Sequence, residues 1–202
     1  MKYEANFFKD KGEFTTIGMS RTVLNVDIDS GEPLPPPEGI SGPSSEAVHI
    51  GLLAKALDLN DLGLILYSTN EALDILHRKI NTYEAFDKKY PGYGGFLPFL
   101  TITGTEVKPL GPDWDNMVDA KDNGELFWAI YGLIEILDVR YASHRDLKKR
   151  WETVMHKMID NSVSIFYEGD GKIWSRAKMT DMTKAVSENT YENAQGACDF
   201  DH

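Results

Sequence analysis

From Leu126 to Ile134 the chain reads Leu-Phe-Trp-Ala-Ile-Tyr-Gly-Leu-Ile, without a charge anywhere in the run. The surrounding pattern predicts a helix from about Asp122 to Val139, and a helix that is apolar on every face is expected to be buried on every face. Such an element requires other helices around it. The next segment, from about Ser143 to Ser164, supplies one of a different kind. Leu147, Trp151, Val154, Met155 and Met158 form a single apolar stripe, while Arg145, Lys149, Glu152 and Asp160 point away.

The same succession occurs earlier in the chain. A largely apolar helix is predicted from about Pro43 to Leu59. Pro43 suits a first helical position, where a missing N–H costs nothing, and Ile50, Leu53, Ala54 and Leu57 share one stripe. An amphipathic helix follows, opened by Ser68-Thr69-Asn70-Glu71, the spacing of a capping box in which Ser68 and Glu71 each satisfy an orphan donor. Leu73, Leu76, Ile80 and Tyr83 line its apolar face. Apolar then amphipathic, twice over, is the order of helical hairpins packed in two concentric layers. An irregular helical bundle shares that order over two hairpins, so both arrangements remain open here.

The connections favour the layered arrangement. The link near Arg140–Ala142 is very short, whereas Gly31–Gly42, with Pro33, Pro35, Pro36 and Pro37, and Lys88–Lys121 are long. Structureless loops of that length are uncommon in compact domains and usually functional. In concentric layers every outer-to-inner connection falls on one rim, so these segments are expected to converge there. Leu24, Val26 and Ile28 alternate with Asn25, Asp27 and Asp29, which predicts one half-buried strand. Phe166-Tyr167-Glu168, a Gly169-Asp170-Gly171 turn and Ile173–Arg176 predict a β-hairpin. The expected division is an extended segment with one strand over 1–42 and a helical catalytic domain over 43–202.

Charge narrows the partners. With 21 basic and 32 acidic residues the net charge is -11, a field that repels phosphate backbones, so no nucleic-acid partner is expected. Lys148-Lys149-Arg150 lies on an amphipathic helix and reads as a solvated face. No apolar run approaches a membrane span, and Met1–Phe14 has no secretory h-region. Cys198 stands alone, so it forms no intrachain disulfide, and neither paired cysteines nor a His-x-x-x-His spacing argues for a metal. His49 and His77 are isolated within helices. No glycine fingerprint for phosphates and no Gly-x-Ser-x-Gly elbow is present, and no cofactor is expected.

The residue types that remain suit a sugar, whose rings present an apolar C–H face and a rim of hydroxyls. The stretch Tyr90–Phe99 and the later Gly111-Pro112-Asp113-Trp114-Asp115-Asn116 place Tyr93, Trp114, Asp115 and Asn116 on the rim; alternatively, Tyr90 and Phe96 only pin a long loop. Glu125, at the mouth of the apolar helix, is the candidate catalytic carboxylate, because an adjoining apolar wall disfavours its charge. Asp122 joins it as a binding residue; the two also have the cap and N3 spacing of a capping-box variant. Trp128 on the same helix, together with Trp174 and Arg176, read as two residues on one face of one strand, complete the candidate binding set.

Taken together, Pro37-Glu38-Gly39-Ile40-Ser41-Gly42-Pro43-Ser44-Ser45-Glu46, the Tyr90–Phe99 loop, Gly111–Asn116 and Asp122–Leu133 resemble the endo-beta-1,2-glucanases of the fungal SGL type. The resemblance implies an all-α, partial (α/α)6 toroid with a small β-hairpin and long rim loops. It also implies a usually secreted glycoside hydrolase that cleaves beta-1,2-glucan with acidic residues around a central cleft and no metal. Carried over, Trp114, Asp115 and Glu125 line that cleft, with Asp115 and Glu125 as catalytic candidates. Only two of six hairpins are found, so the chain is expected to be about half of such a ring, with the family's catalytic pair incomplete within it. The alternative is a helical module that binds a carbohydrate or a protein without chemistry. A toroid for a uronic-acid polymer is disfavoured by the absence of a basic rim.

Overall fold

The computed structural model describes residues 13–22, 27–30, 39–58, 66–114, 116–193 and 197–198. Among the described residues four long helices carry the fold: α1 (Pro43–Leu57), α2 (Thr69–Lys89), α4 (Ala120–Arg140) and α5 (Arg145–Phe166), with a single turn, α3 (Gly111–Trp114), before α4. Short antiparallel strands dress their ends. They form four small sheets, with orders β1-β2, β3-β4-β5, β6-β9-β10 and β7-β8-β11. Their ranges are β1 (Glu13–Phe14), β2 (Met19–Ser20), β3 (Gly39–Ser41), β4 (Leu100–Thr103), β5 (Glu106–Pro109) and β6 (Met117–Asp119). After α5 come β7 (Tyr167–Gly169), β8 (Lys172–Trp174), β9 (Arg176–Met179), β10 (Tyr191–Asn193) and β11 (Ala197–Cys198).

The helices pair as the alternation predicts. α1 lies along α4 over the longest contact of the fold, α2 packs on α1, and α5 packs on α4 and touches α2. Buried Ile50, Leu53 and Leu57 of α1 meet Leu126, Ile130, Leu133 and Leu137 of α4 in one core. Trp151 of α5, fully buried, sets its ring edge-on to Tyr83 of α2 with centroids 5.3 Å apart, which ties the two amphipathic helices together. The capping box is present: Ser68 Oγ accepts from Glu71 N at 3.3 Å, and Ser68 N donates to Glu71 Oε2 at 2.7 Å.

Helix α4 departs from expectation in two ways. It is not buried on every face, because its core stripe leaves Trp128 68 % exposed with Tyr131 beside it. Helices α1 and α5 pack against the apolar rod, and among the described residues the side that bears Trp128 is left open. Its first residue is also earlier than predicted. Asp119, not Asp122, is the N-cap: Asp119 Oδ1 accepts from Lys121 N at 3.0 Å and Asp122 N at 3.1 Å. Asp122 thereby becomes a residue of the first turn.

The segments read as loops carry more order than their composition suggests. Over 88–121 the chain makes a 3-10 turn (Pro91–Tyr93), the β4–β5 hairpin, α3 and β6. Gly104, at φ +62, provides the tight reversal that pairs Thr103 with Glu106. Gly92 allows a close approach: an added Cβ would clash with the carbonyl oxygen of Asp181. Leu24 and Val26 of the expected first strand lie outside the described residues, as do residues 31–38 of the proline-rich link and the last residues after Cys198. Ile28, however, is in a turn and 96 % exposed, since Asp27 Oδ1 accepts from Asp29 N and Ser30 N and curls the backbone there.

A buried carboxylate joins the N-terminal strands to the helices. Glu46, in the first turn of α1, has no exposure; its Oε1 accepts from Ser20 N and Ser20 Oγ, both at 2.6 Å, and from Ser41 Oγ at 3.3 Å. Oε2 accepts from Tyr83 OH at 3.0 Å and from Lys79 Nζ, itself fully buried. Burial alone would raise the Glu46 carboxyl, but the Lys79 ammonium, His49 and the Ser20 hydrogen bonds hold it below its ordinary 4.5. A second buried acid, Glu13 of β1, accepts from Tyr67 OH and lies 3.5 Å from His49 Nε2. Burial again opposes its charge, while His49 and Tyr67 hold it below 4.5. His49 itself is held below 6.5, by burial first and by the Lys79 charge second.

Two outcomes follow from this network. Lys79→Met leaves Glu46 charged, buried and without its counter-ion, and is expected to lower unfolding stability by about 3–5 kcal/mol in urea denaturation. The wild-type denaturation midpoint should decline below pH 6.5, where the unfolded chain takes up a proton that folded His49 resists, and fall more steeply below pH 4.5. Both signs are the same: native groups with depressed values release protons that the unfolded chain binds, so stability is lost as pH falls through the native values.

Candidate functional site

The N-terminal end of α4 forms one wall of a cavity of about 480 Å3, lined among others by Phe99, Trp114, Asp119, Asp122, Ile173 and Arg176. Four separate stretches of sequence meet there: Phe99 before β4, the end of α3, the β6–α4 junction and the β8–β9 segment. Strand pairing brings the last two together. Asp119 and Arg176 are register partners in the antiparallel β6–β9 ladder, and Ala120 N donates to Ser175 O at 2.9 Å where the ladder runs into the helix. Residues opposite one another in a ladder share a sheet face, and Arg176 Nε donates to Asp119 Oδ2 at 3.1 Å. The Arg176 guanidinium also lies over the Trp114 ring, 5.4 Å from its centroid. Phe99 meets the same indole edge-on at 5.5 Å, and Trp114 remains 42 % exposed.

Asp122 supplies the titratable group. Partial burial raises its carboxyl above the ordinary 3.8, and the neighbouring charges of Asp119 and Glu125 raise it further, against the opposing pull of Lys121 and Arg176. A carboxyl raised above its ordinary range beside an exposed indole and a guanidinium combines a titratable group, an apolar platform and a hydrogen-bond donor within one cavity. Asn123, one residue on, is buried and structural. Its Oδ1 accepts from Leu97 N and its Nδ2 donates to Leu97 O, both at 2.9 Å, which holds the Leu97–Phe99 stretch against α4.

The structure thus brings together Trp114, Asp122 and Arg176, and separates the other candidates from them. Glu125 is exposed on α4 and does not line the cavity. Asp115 lies outside the described residues. Asn116 serves through its backbone, its carbonyl accepting from Met179 N at 2.6 Å. Tyr93 is buried, with its ring stacked on Phe86 at 5.7 Å, so its surroundings match the reading in which this loop is pinned onto the helices. Trp128 faces a different groove, between α4 and α5, beside Ile159 and Val163. Trp174 and Arg176 are not on one strand: Ser175 bends the chain between β8 and β9, which belong to different sheets. The Trp174 indole N–H points to the Asn193 side-chain oxygen at 2.7 Å, in the amide orientation that also donates to Ile165 O.

Sequence reasoning missed Asp119 and Phe99. Asp119 precedes an Ala-Lys-Asp first turn and has the residue type of a cap, which was the available signal; Phe99 stands in an apolar run that gave none. Among the described residues no group of three or more His, Cys, Asp or Glu is placed to hold a metal, and no helix is long and apolar enough to cross a membrane.

With that geometry in place, comparison with known proteins is informative. The family described as endo-beta-1,2-glucanase SGL matches this chain over residues 20–201. The fold superposes with TM-score 0.85 and 30 % identity on the endo-beta-1,2-glucanase from Talaromyces funiculosus in complex with sophorose, over 96 % of this chain and 41 % of that one. A mutant of the Talaromyces funiculosus enzyme in complex with beta-1,2-glucan gives TM-score 0.79 and 28 % identity, over 97 % and 45 % of the two chains. The present chain therefore spans less than half the length of these solved structures. No curated protein matches it.

The titration of Asp122 gives a direct check. Its carboxyl resonance, followed by NMR, should titrate above 3.8, and Asp119→Asn should bring it down by removing the adjacent negative charge. Because the native group holds its proton more tightly than the unfolded chain does, its contribution to stability is complete below pH 3.8 and is lost as pH rises through the native value.

Proposed function

This chain belongs to the endo-beta-1,2-glucanase SGL family, and on that premise we propose that the cavity at the start of α4 binds beta-1,2-linked glucan and forms part of an endo-acting hydrolytic cleft. The observation that carries the reading is the meeting of Trp114, Asp122 and Arg176 in one cavity, with Arg176 brought from a distant part of the chain. The exposed indole offers an apolar surface to the C–H face of a glucosyl ring. Arg176 donates to hydroxyls, and the Asp122 carboxyl, which keeps its proton above the ordinary range, is suited to protonate a departing glycosidic oxygen. Glycoside hydrolysis uses two carboxylates. Of the two carboxylates expected from the sequence, Glu125 is exposed outside the cavity, which leaves Asp115, next to Trp114 in sequence, as the proposed second.

In this reading the two helical hairpins are a portion of an (α/α)6 toroid, with 43–202 contributing to its catalytic domain and 1–42 preceding it. The relatives' ligands support the substrate class: sophorose and beta-1,2-glucan are bound by the solved enzymes. A second reading is a carbohydrate-binding module without turnover, which the exposed Trp114 ring and the Arg176 guanidinium over it would serve equally.

Calorimetry with sophorose and linear beta-1,2-glucan, run beside a reducing-sugar assay, separates the readings. Trp114→Ala should weaken binding about tenfold or more, the loss of one stacked ring in an otherwise intact cavity. Binding with sugar release supports the hydrolase, and binding without release supports the module. Binding that Trp114→Ala leaves unchanged removes this cavity from consideration.

A further inference from the structure

Asp119 divides its two oxygens between two tasks. Oδ1 caps α4 by accepting from Lys121 N and Asp122 N, and Oδ2 accepts from Arg176 Nε at 3.1 Å. A carboxylate fixed at one oxygen by a helix end has little freedom at the other, so the direction of the Arg176 side chain is set by the backbone of α4. Held at Nε and backed by the Trp114 ring, the guanidinium has neither Nη group in a hydrogen bond to another described residue, and its side chain is 34 % exposed on the cavity wall. The guanidinium is planar, and its two Nη groups present N–H bonds as a rigid fork suited to a pair of adjacent oxygen acceptors.

A glucosyl unit linked through its 2-oxygen offers such a pair. The linkage consumes O2, which leaves O3 and O4 as the vicinal diol, both equatorial in glucose. We propose that Arg176, aimed by Asp119, is the specificity-determining residue of this cavity, its Nη fork reading the 3- and 4-hydroxyls of a glucosyl unit that lies against Trp114. The inference rests on the reading of the cavity as a glucan site. Asp119 touches no sugar in this arrangement and acts as a positioning residue. Inverting O4 to the axial position takes one acceptor out of the fork and leaves a charged N–H donor without its partner, so the site separates gluco from galacto stereochemistry.

The test uses the full chain with sophorose and the two epimers of sophorose that carry an axial 4-hydroxyl in one ring or the other. In the wild type at least one epimer should bind about tenfold more weakly than sophorose, the scale of one charge-assisted hydrogen bond. Asp119→Asn and Arg176→Lys should each bring sophorose down to the level of that epimer. Asparagine caps a helix about as well as aspartate, so the thermal midpoint of Asp119→Asn should not move. Its Arg176 Nε–H resonance, protected by the ion pair in the wild type, should be lost to solvent exchange, a change that a merely structural role for Asp119 would not produce alone. Equal affinity for sophorose and both epimers overturns the inference while leaving the glucan reading intact, and so does an Asp119→Asn variant that keeps the wild-type preference. Failure of the wild type to take up sophorose or either epimer, or linear beta-1,2-glucan, removes the glucan reading and the inference together.

Discussion

The fold depends on one carboxylate placed where water cannot reach it. Glu46 gathers donors from β2, β3 and α2 onto the first turn of α1, and the fully buried Lys79 ammonium balances its charge. An unpaired charge at that depth would be severely unfavourable, so each element that supplies a donor has one permitted position. Apolar packing drives the helices together but is tolerant of sliding; hydrogen bonds to a buried ion are not. Ser20, Ser41, Lys79 and Tyr83 therefore set the register between the N-terminal strands and the first helical hairpin. Glu13 with Tyr67 and His49 repeats the device nearby, using the same hairpin of strands.

The cavity at the start of α4 is built by a different logic, in which backbone geometry places the side chains. The β6–β9 ladder runs directly into the first turn of α4, so the last residue of a strand is also the cap of a helix. Asp119 occupies that junction. Its position fixes Arg176 across the ladder and Asp122 one turn along, where partial burial first and the Asp119 and Glu125 charges second raise the Asp122 carboxyl above its ordinary value. Chemistry and architecture share atoms here. A change that loosens the junction alters the helix end, the guanidinium and the carboxyl at once.

How much of this was legible in the sequence differs by kind of interaction. The four long helices were readable because their periodicity depends on local repeats: Leu147, Trp151 and Met158 lie on a stripe whatever surrounds them. The Ser68–Glu71 cap was readable for the same reason. The sheets were less so, since strands of two to four residues are too short for an alternation to stand out, and β6, β9 and β10 pair across long separations. The Thr-Ile-Thr-Gly-Thr-Glu-Val stretch did carry a hairpin signal in Gly104 that the richer glycine and aromatic content around it obscured. Trp114, Asp122 and Arg176 could be named as binding types from residue chemistry alone. That they share a cavity, whereas Tyr93 and Trp128 do not line it, is a matter of tertiary register. The apolar run of α4 misled in one respect. Composition reports what a face tolerates, and only the neighbours decide what covers it.

That uncovered flank has a meaning of its own. Trp128 and Tyr131 on α4, with Ile159 and Val163 on α5, make a dry stripe along one side of a molecule whose surface is otherwise strongly anionic. Apolar surface left in water is unfavourable whatever charge surrounds it, so the seam that closes α5 onto α4 also carries a surface favoured for burial.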